Sequence, residues 1–278
     1  MKHIFLNLKR FDIPRSLAGV NSIAPVQEWG KYIVEHIQEP LETYREQDVE
    51  FVIFFPEAHI LSAASALKQN SMIKLGCQGI YREDTEKGKN FGAFTTNRTG
   101  NAMRALGCTD VIIGHCEERA DKAGVMAVAG CTDTASVNGL LNQEILAAQK
   151  AGLKVLYCIG EKEEEQGQWQ KVLEEQLSIG LNGADKSAVT IAYEPVWAIG
   201  PGKTPPDEEY MKKISSYVKK VTNGLDVVYG GGLKTENAKL VASVPDLDGG
   251  LIALTRFQGE IGFYPEEYLQ IVKEYMGR

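Results

Sequence analysis

Short apolar runs rich in β-branched and aromatic residues recur at residues 4–8, 51–55, 73–77, 111–113, 155–159, 189–193, 227–229 and 251–254. Each is short, as strands are, and has a strand's composition. Between them the pattern changes. Residues 28–37, 140–151, 171–179, 207–221 and 265–275 place apolar side chains three and four apart, the spacing of a helix with one buried stripe. The strand runs are apolar throughout instead of alternating with polar residues. Both faces of each strand are therefore covered, as in a parallel sheet packed under helices.

Eight such units can close into a barrel or lie open as a doubly wound sheet, and periodicity does not separate the two. The first strand is not followed by the Gly-x-Gly-x-x-Gly turn of an open dinucleotide-binding sheet. The expected class is α/β, a (β/α)8 barrel of parallel strands. A chain of 278 residues suits one such barrel, which takes about 250 residues. No linker-like stretch divides it, so residues 1–278 read as one domain. The charged run 161–168 reads as a solvated loop leading into a helix.

Composition narrows the function. Apolar residues at 44% and charged residues at 24% supply an ordinary globular core. The apolar runs are too short to span a bilayer, and Met1-Lys2-His3-Ile4 opens without the apolar core of a leader peptide, so a cytoplasmic enzyme is expected, with no membrane partner. Five cysteines without a Cys-x-x-Cys pair suggest neither a disulfide framework nor a zinc cluster. The net charge of −7 argues against a nucleic-acid partner, and an anionic substrate would have to be captured by a local positive field.

Three ionisable residues stand at or just beyond the ends of apolar runs: Lys9, His115 and Glu194. In a parallel barrel all strand carboxyl ends share one face, so an ammonium, an imidazole and a carboxylate would converge on one pocket. Any one of them could simply mark the chain leaving the core; the three together point to proton chemistry. His3, His36 and His59 read as surface or packing residues, and Trp29 and Trp169 as helix-face packing. Cys116 and Cys158 have no neighbouring base in sequence and read as packed thiols.

The wording around these positions is specific. The run Ala192-Tyr193-Glu194-Pro195-Val196-Trp197-Ala198-Ile199-Gly200 followed by Pro201-Gly202-Lys203-Thr204 resembles the catalytic glutamate and flexible lid of the triosephosphate isomerase family. Asn7-Leu8-Lys9, Gly92-Ala93-Phe94-Thr95, Ile113-Gly114-His115-Cys116-Glu117, Cys158-Ile159-Gly160-Glu161 and Tyr229-Gly230-Gly231 follow that family's order. The resemblance spans nearly the whole chain and implies a single TIM barrel. It also implies an aldose–ketose isomerase that interconverts D-glyceraldehyde 3-phosphate and dihydroxyacetone phosphate through an enediolate, with no metal and no organic cofactor. In that family a glutamate base works beside a neutral histidine whose proton affinity is lowered by a helix amino terminus. By resemblance Glu194 moves the proton, His115 and Lys9 stabilise the enediolate, and Asn7 orients the substrate. Backbone N–H groups at Gly200, Gly231 and Gly232 grip the phosphate. The resemblance further implies a homodimer in which Thr95 reaches the neighbouring copy's Asn7 and Lys9.

Three features depart from the family. After the eighth run the family's Gly-Gly pair gives way to Leu251-Ile252-Ala253-Leu254-Thr255-Arg256, so Arg256 is a candidate charged contact to phosphate or a surface arginine. Tyr-Gly-Gly-Ser becomes Tyr229-Gly230-Gly231-Gly232, deleting a hydroxyl expected to hold the closed lid. Residues 10–26 form a long loop on the expected active face. Near the dimer contact, Asn97-Arg98 against Glu118 reverses the family's ion pair. Two rival isomerase readings stay open: the triose substrate, and a longer sugar phosphate such as erythrulose 1-phosphate. A catalytically silent sugar-phosphate-binding barrel and a Schiff-base lyase are readings of other classes.

Overall fold

The computed structural model describes residues 1–200 and 203–277; Pro201 and Gly202 of the lid motif and the terminal Arg278 lie outside them. Eight strands, β1 Lys2–Asn7, β2 Val49–Phe55, β3 Ile73–Cys77, β4 Asp110–Ile113, β5 Lys154–Ile159, β6 Val189–Tyr193, β7 Val227–Tyr229 and β8 Gly249–Ile252, pair in sequence order. Every pairing is parallel, and β8 returns to β1 to close the barrel.

The uninterrupted apolar runs divide into two cores by the alternation of a strand. Phe5, Val52, Phe54, Ile112, Leu156, Cys158, Ala192, Val228 and Leu251 form one buried cluster that fills the barrel. Their neighbours Ile4, Leu6, Phe51, Ile53, Phe55, Val111, Ile113, Val155, Tyr157, Ile191 and Tyr193 join the cluster between sheet and helices.

The surrounding helices are α1 Trp29–Leu41, α2 Glu57–Ala66, α3 Gly100–Ala105, α4 Cys116–Val128, α5 Thr134–Lys150, α6 Trp169–Gly180, α7 Glu208–Thr222, α8 Ala238–Ser243 and α9 Pro265–Met276. In α1, Trp29, Ile33, Val34, Ile37 and Leu41 form the buried stripe, so Trp29 packs as expected. Helix α5 starts six residues before the expected position because Asp133 accepts the N–H groups of Ala135 and Ser136, both at 3.1 Å. Helix α9 opens on Pro265 and stops at Gly277 in the left-handed conformation.

Two expectations need correction. The eighth strand was expected over 251–254 but lies at Gly249–Ile252, because a side chain at Gly249 would sit 1.8 Å from the carbonyl of His3; bare glycine lets β8 approach β1 there. The run 161–168 is not wholly solvated. Residues 163–168 form an exposed 3₁₀ segment, whereas Glu161 is fully buried.

The floor of the barrel is charged. His3 bridges Glu50 (2.7 Å) and Asp226 (2.8 Å), and Lys74 adds a 2.6 Å contact to Glu50. Burial works against the Glu50 charge, but His3 and Lys74 outweigh it and hold its carboxyl down at about 2. Asp110, nearby at the start of β4, accepts the Thr109 hydroxyl at 2.6 Å, and burial pushes it up to about 6.

Candidate active site

The carboxyl ends of β1, β4 and β6 deliver the three ionisable residues to one end of the barrel. Beyond Asn7 the chain turns so sharply that Lys9 takes a φ of 40°, a left-handed conformation unfavourable for a side chain of its size. The turn is held because Asn7 Oδ1 accepts the Lys9 N–H at 3.0 Å. Gln78, just past β3, donates to the Lys9 carbonyl at 3.0 Å. The ammonium is thereby aimed at Glu117, 2.6 Å away.

After β4, Gly114 at φ 79° reverses the chain, and His115 becomes the N-cap of α4. Its Nδ1 accepts the Glu117 N–H at 3.2 Å, which leaves the ring's single proton on Nε2. That nitrogen lies 3.1 Å from Glu194 Oε1. The expected link between His115 and a helix amino terminus is therefore present as a cap that selects the tautomer. Arg119, one turn into α4, locks the geometry: it donates to the Gly114 carbonyl (2.8 Å), the Cys158 carbonyl (2.9 Å), Asn138 (2.8 Å) and the Tyr157 hydroxyl (3.0 Å).

Glu194 is almost wholly buried, at 1% exposure. Its Oε2 accepts the Cys116 N–H at 2.9 Å, while Oε1, despite its closeness to His115, makes no hydrogen bond among the described residues. Burial raises its proton affinity above that of an ordinary glutamate, against the opposing pull of His115, the Cys116 N–H, Lys9 and Arg119. A carboxylate so desolvated is a stronger base than one in water. Burial, and after it the Glu194 charge, pushes the partly buried Cys116 thiol up to about 12, and burial raises the Cys158 thiol well above its ordinary value.

Two glycines make room for Glu194. A side chain at Gly160 would meet the Glu194 carbonyl oxygen at 1.8 Å, and one at Gly230 would meet its Cγ at 2.9 Å. Gly230 stood out in the sequence only as part of the Tyr229-Gly230-Gly231-Gly232 motif, yet its absent side chain clears space for the carboxylate. Gly200 and Gly232 adopt φ 118° and 92°, conformations that favour glycine, and a side chain at Gly231 would strike the Tyr229 hydroxyl at 2.3 Å.

Glu161 is a site residue that sequence reasoning missed. Its Oε1 accepts the Trp197 indole N–H (2.7 Å), the Tyr193 hydroxyl (2.8 Å) and the Tyr210 hydroxyl (3.0 Å). It ties the short turn Val196–Ala198, directly after Glu194, to β5 and α7. Tyr210, half-buried beside this carboxylate, is pushed up to about 12 by desolvation and the Glu161 charge and keeps its proton to donate.

Of the two readings of Arg256, phosphate contact or surface arginine, the geometry favours the second. Its Nε donates to Glu267 at 2.7 Å, and its guanidinium stacks 3.7 Å above the Tyr264 ring. The structure thus gives that charge to Glu267 within the chain instead of to the pocket. Glu118, expected to pair with Arg98 of another copy, has both oxygens engaged within its own chain, by the Gly114 N–H (2.6 Å) and Lys122 (2.8 Å).

An open cavity of ≈ 440 Å³ lies over these strand ends. Asn7, Lys9 and His115 line it on one side, and the long first loop lines it on the other through Arg10, Phe11, Ile13, Ala18, Gly19 and Val20. Asp12 anchors that loop through His59 (3.1 Å) and Arg10 (2.7 Å), so His59 has a buried structural role. No helix among the described residues is long and apolar enough to cross a membrane.

Comparison with known proteins bears on the fold and the family. The chain is 36% identical over 218 residues to a triosephosphate isomerase of Geobacter metallireducens, covering 74% of this chain and 79% of that protein. It is 31% identical over 250 residues to one of Dictyoglomus thermophilum, covering 85% and 91%. The crystal structure of triosephosphate isomerase from Bartonella henselae superposes with a TM-score of 0.73 over 99% of both chains at 22% identity, a likeness of fold. The sequence model of one family, triosephosphate isomerase, matches residues 27–274, and the chain belongs to that family.

Proposed function

We propose that this protein interconverts D-glyceraldehyde 3-phosphate and dihydroxyacetone phosphate, with Glu194 as the base. The observation that carries the reading is the placement of a buried, basic carboxylate 3.1 Å from a histidine whose Nε2 bears the proton, beside a cavity lined by Lys9 and Asn7.

Glu194 takes the proton from the carbon beside the substrate carbonyl. To do so it leaves the Cys116 N–H that now holds it. Negative charge then grows on the carbonyl oxygen, where the His115 Nε2–H and the Lys9 ammonium are donors preset to receive it. The former carbonyl oxygen takes the His115 Nε2 proton, Nε2 recovers a proton from the hydroxyl on the neighbouring carbon, and the same carboxylate returns its proton to that carbon. Asn7 orients the substrate, and backbone N–H groups at Gly200, Gly231 and Gly232 hold its phosphate. The lid turn anchored by Glu161 excludes water, which would otherwise promote loss of phosphate from the enediolate.

The working unit is a homodimer in which Thr95 of one copy reaches Asn7 and Lys9 of the other. Support comes from the exposed segment that bears Thr95, with Phe91 at 88% exposure on a projecting loop, an apolar surface suited to burial against a second copy. The test is kcat/KM on glyceraldehyde 3-phosphate beside erythrulose 1-phosphate, with Glu194→Gln as control. A triose value approaching the diffusional ceiling of about 10⁸ M⁻¹s⁻¹, abolished by the substitution, supports the proposal. Slow triose turnover beside rapid tetrulose turnover overturns the substrate, and activity retained in Glu194→Gln overturns the base.

A further inference from the structure

Cys116 follows the candidate electrophile directly and lies beside the candidate base, and the isomerase chemistry has no use for its sulfur. One ring nitrogen of His115, Cys116 Sγ and one carboxylate oxygen of Glu194 all lie within 4.8 Å of one another. Sγ is 3.7 Å from His115 Nδ1, close to the separation of two ligands on a tetrahedral ion with bonds of about 2.0–2.3 Å. On the open side Glu117 Oε2 stands 3.8 Å from the same nitrogen. An independent observation points the same way: among the described residues Glu194 Oε1 is buried with no hydrogen-bond partner, its approach to His115 being to Nε2 at 3.1 Å.

From this juxtaposition we infer that the active site doubles as an inhibitory site for a soft divalent cation of the zinc or cadmium type, ligated by His115, Cys116 and Glu194. Nδ1 is the ring nitrogen with a lone pair, so it exchanges the Glu117 N–H for the ion while Nε2 keeps its proton. The thiol proton is released to water as the sulfur binds, because a coordinated thiol ionises. The field of the α4 amino terminus opposes a cation, and the carboxylates of Glu194 and Glu117 offset it. Nitrogen, sulfur and carboxylate donors together select zinc-like ions over magnesium or calcium, which take all-oxygen sets. The bound ion immobilises the base and the electrophile together, so inhibition is competitive with substrate.

The inhibitory consequence rests on the proposed roles of Glu194 and His115; the binding site does not. Two readouts on the full-length protein therefore separate them. Co²⁺ titration should produce a thiolate-to-cobalt absorption band. Zn²⁺ should inhibit turnover reversibly, with EDTA restoring it. Cys116→Ser keeps the backbone N–H that holds Glu194 and removes only the sulfur. It should abolish the band and weaken zinc inhibition, measured against the variant's own metal-free rate, at least about 10–100-fold, the loss that follows removal of even an outer partner of a metal ligand. A band absent from the unsubstituted protein, or a band and inhibition undiminished in Cys116→Ser, overturns the site. A Cys116-dependent band without any loss of turnover supports the site and overturns the assignment of Glu194 and His115 to catalysis.

Discussion

Replacing Gly160 by alanine should damage catalysis as well as folding. The added methyl would lie 1.8 Å from the Glu194 carbonyl oxygen and 2.8 Å from the carbon that bears it. Ordinary contact begins near 3.4 Å, so the two backbones must part by about 1.6 Å. Neither yields freely. Glu194 is tied to β5 through its N–H on the Ile159 carbonyl (2.8 Å), and Gln176 clamps Gly160 from both sides at 2.9 Å. A misplacement of ~1 Å in a reacting group can cost about 100-fold in rate. The expected result is a kcat lower by at least ~100-fold, equivalent to roughly 2.7 kcal/mol of barrier. KM should change little, because Gly231 and Gly232, proposed to grip the phosphate, follow β7 on another loop. Overpacking should remove about 1–3 kcal/mol of stability, read by urea denaturation. Gly139→Ala is the control: it lies within α5 with nothing inside 4 Å, and should leave kcat unchanged while adding about 0.5–1 kcal/mol of stability. A folded Gly160→Ala enzyme with kcat within about threefold of the parent, a difference under ~1 kcal/mol, would refute the claim that this contact positions the base.

Glu161→Gln should lower stability by about 1.5–3 kcal/mol, the worth of hydrogen bonds to a charged acceptor, and should loosen Trp197, seen as a change in tryptophan fluorescence together with a lower kcat. Asp110→Asn should stabilise the protein at neutral pH. Because burial raises the folded-state value from 3.8 to about 6, the charged aspartate destabilises above that range, and the gain of up to roughly 3 kcal/mol should shrink as pH falls through 6 and vanish near 4 in denaturation curves. Arg256→Ala should leave kcat/KM within about threefold, since its guanidinium is engaged by Glu267 and Tyr264; a loss of 100-fold or more, ~2.7 kcal/mol, would return that arginine to the phosphate site.

The elements legible in the sequence are those whose cause is local. Strands β3, β6 and β7 coincide with their apolar runs, and Lys9, His115 and Glu194 stand out because each directly follows a run that must be buried. Strand β8 was misplaced because its first half is Gly249-Gly250, and what glycine permits there depends on His3, at the other end of the chain. Glu161 was hidden for a related reason. It heads a charged run, and the three donors that make it a buried hub are 32 to 49 residues away. Arg119 likewise reads as one more charge at the start of a helix until β5 is set beside it. The fate of Arg256 was open in the sequence because Glu267 reaches it only across the turn between β8 and α9.

Lys9 shows fold and activity pulling in opposite directions at one backbone position. A left-handed φ on a side-chain-bearing residue costs on the order of 1–3 kcal/mol, whereas glycine adopts it freely. Judged by foldability alone, glycine is the better residue there, and variants screened only for heat resistance should drift toward it. The barrel built by such a screen would be sturdier and would lack the ammonium over its cavity. Position 9 is thus a sensor of selection: on the proposed chemistry, lysine persists there only while the barrel mouth is being used.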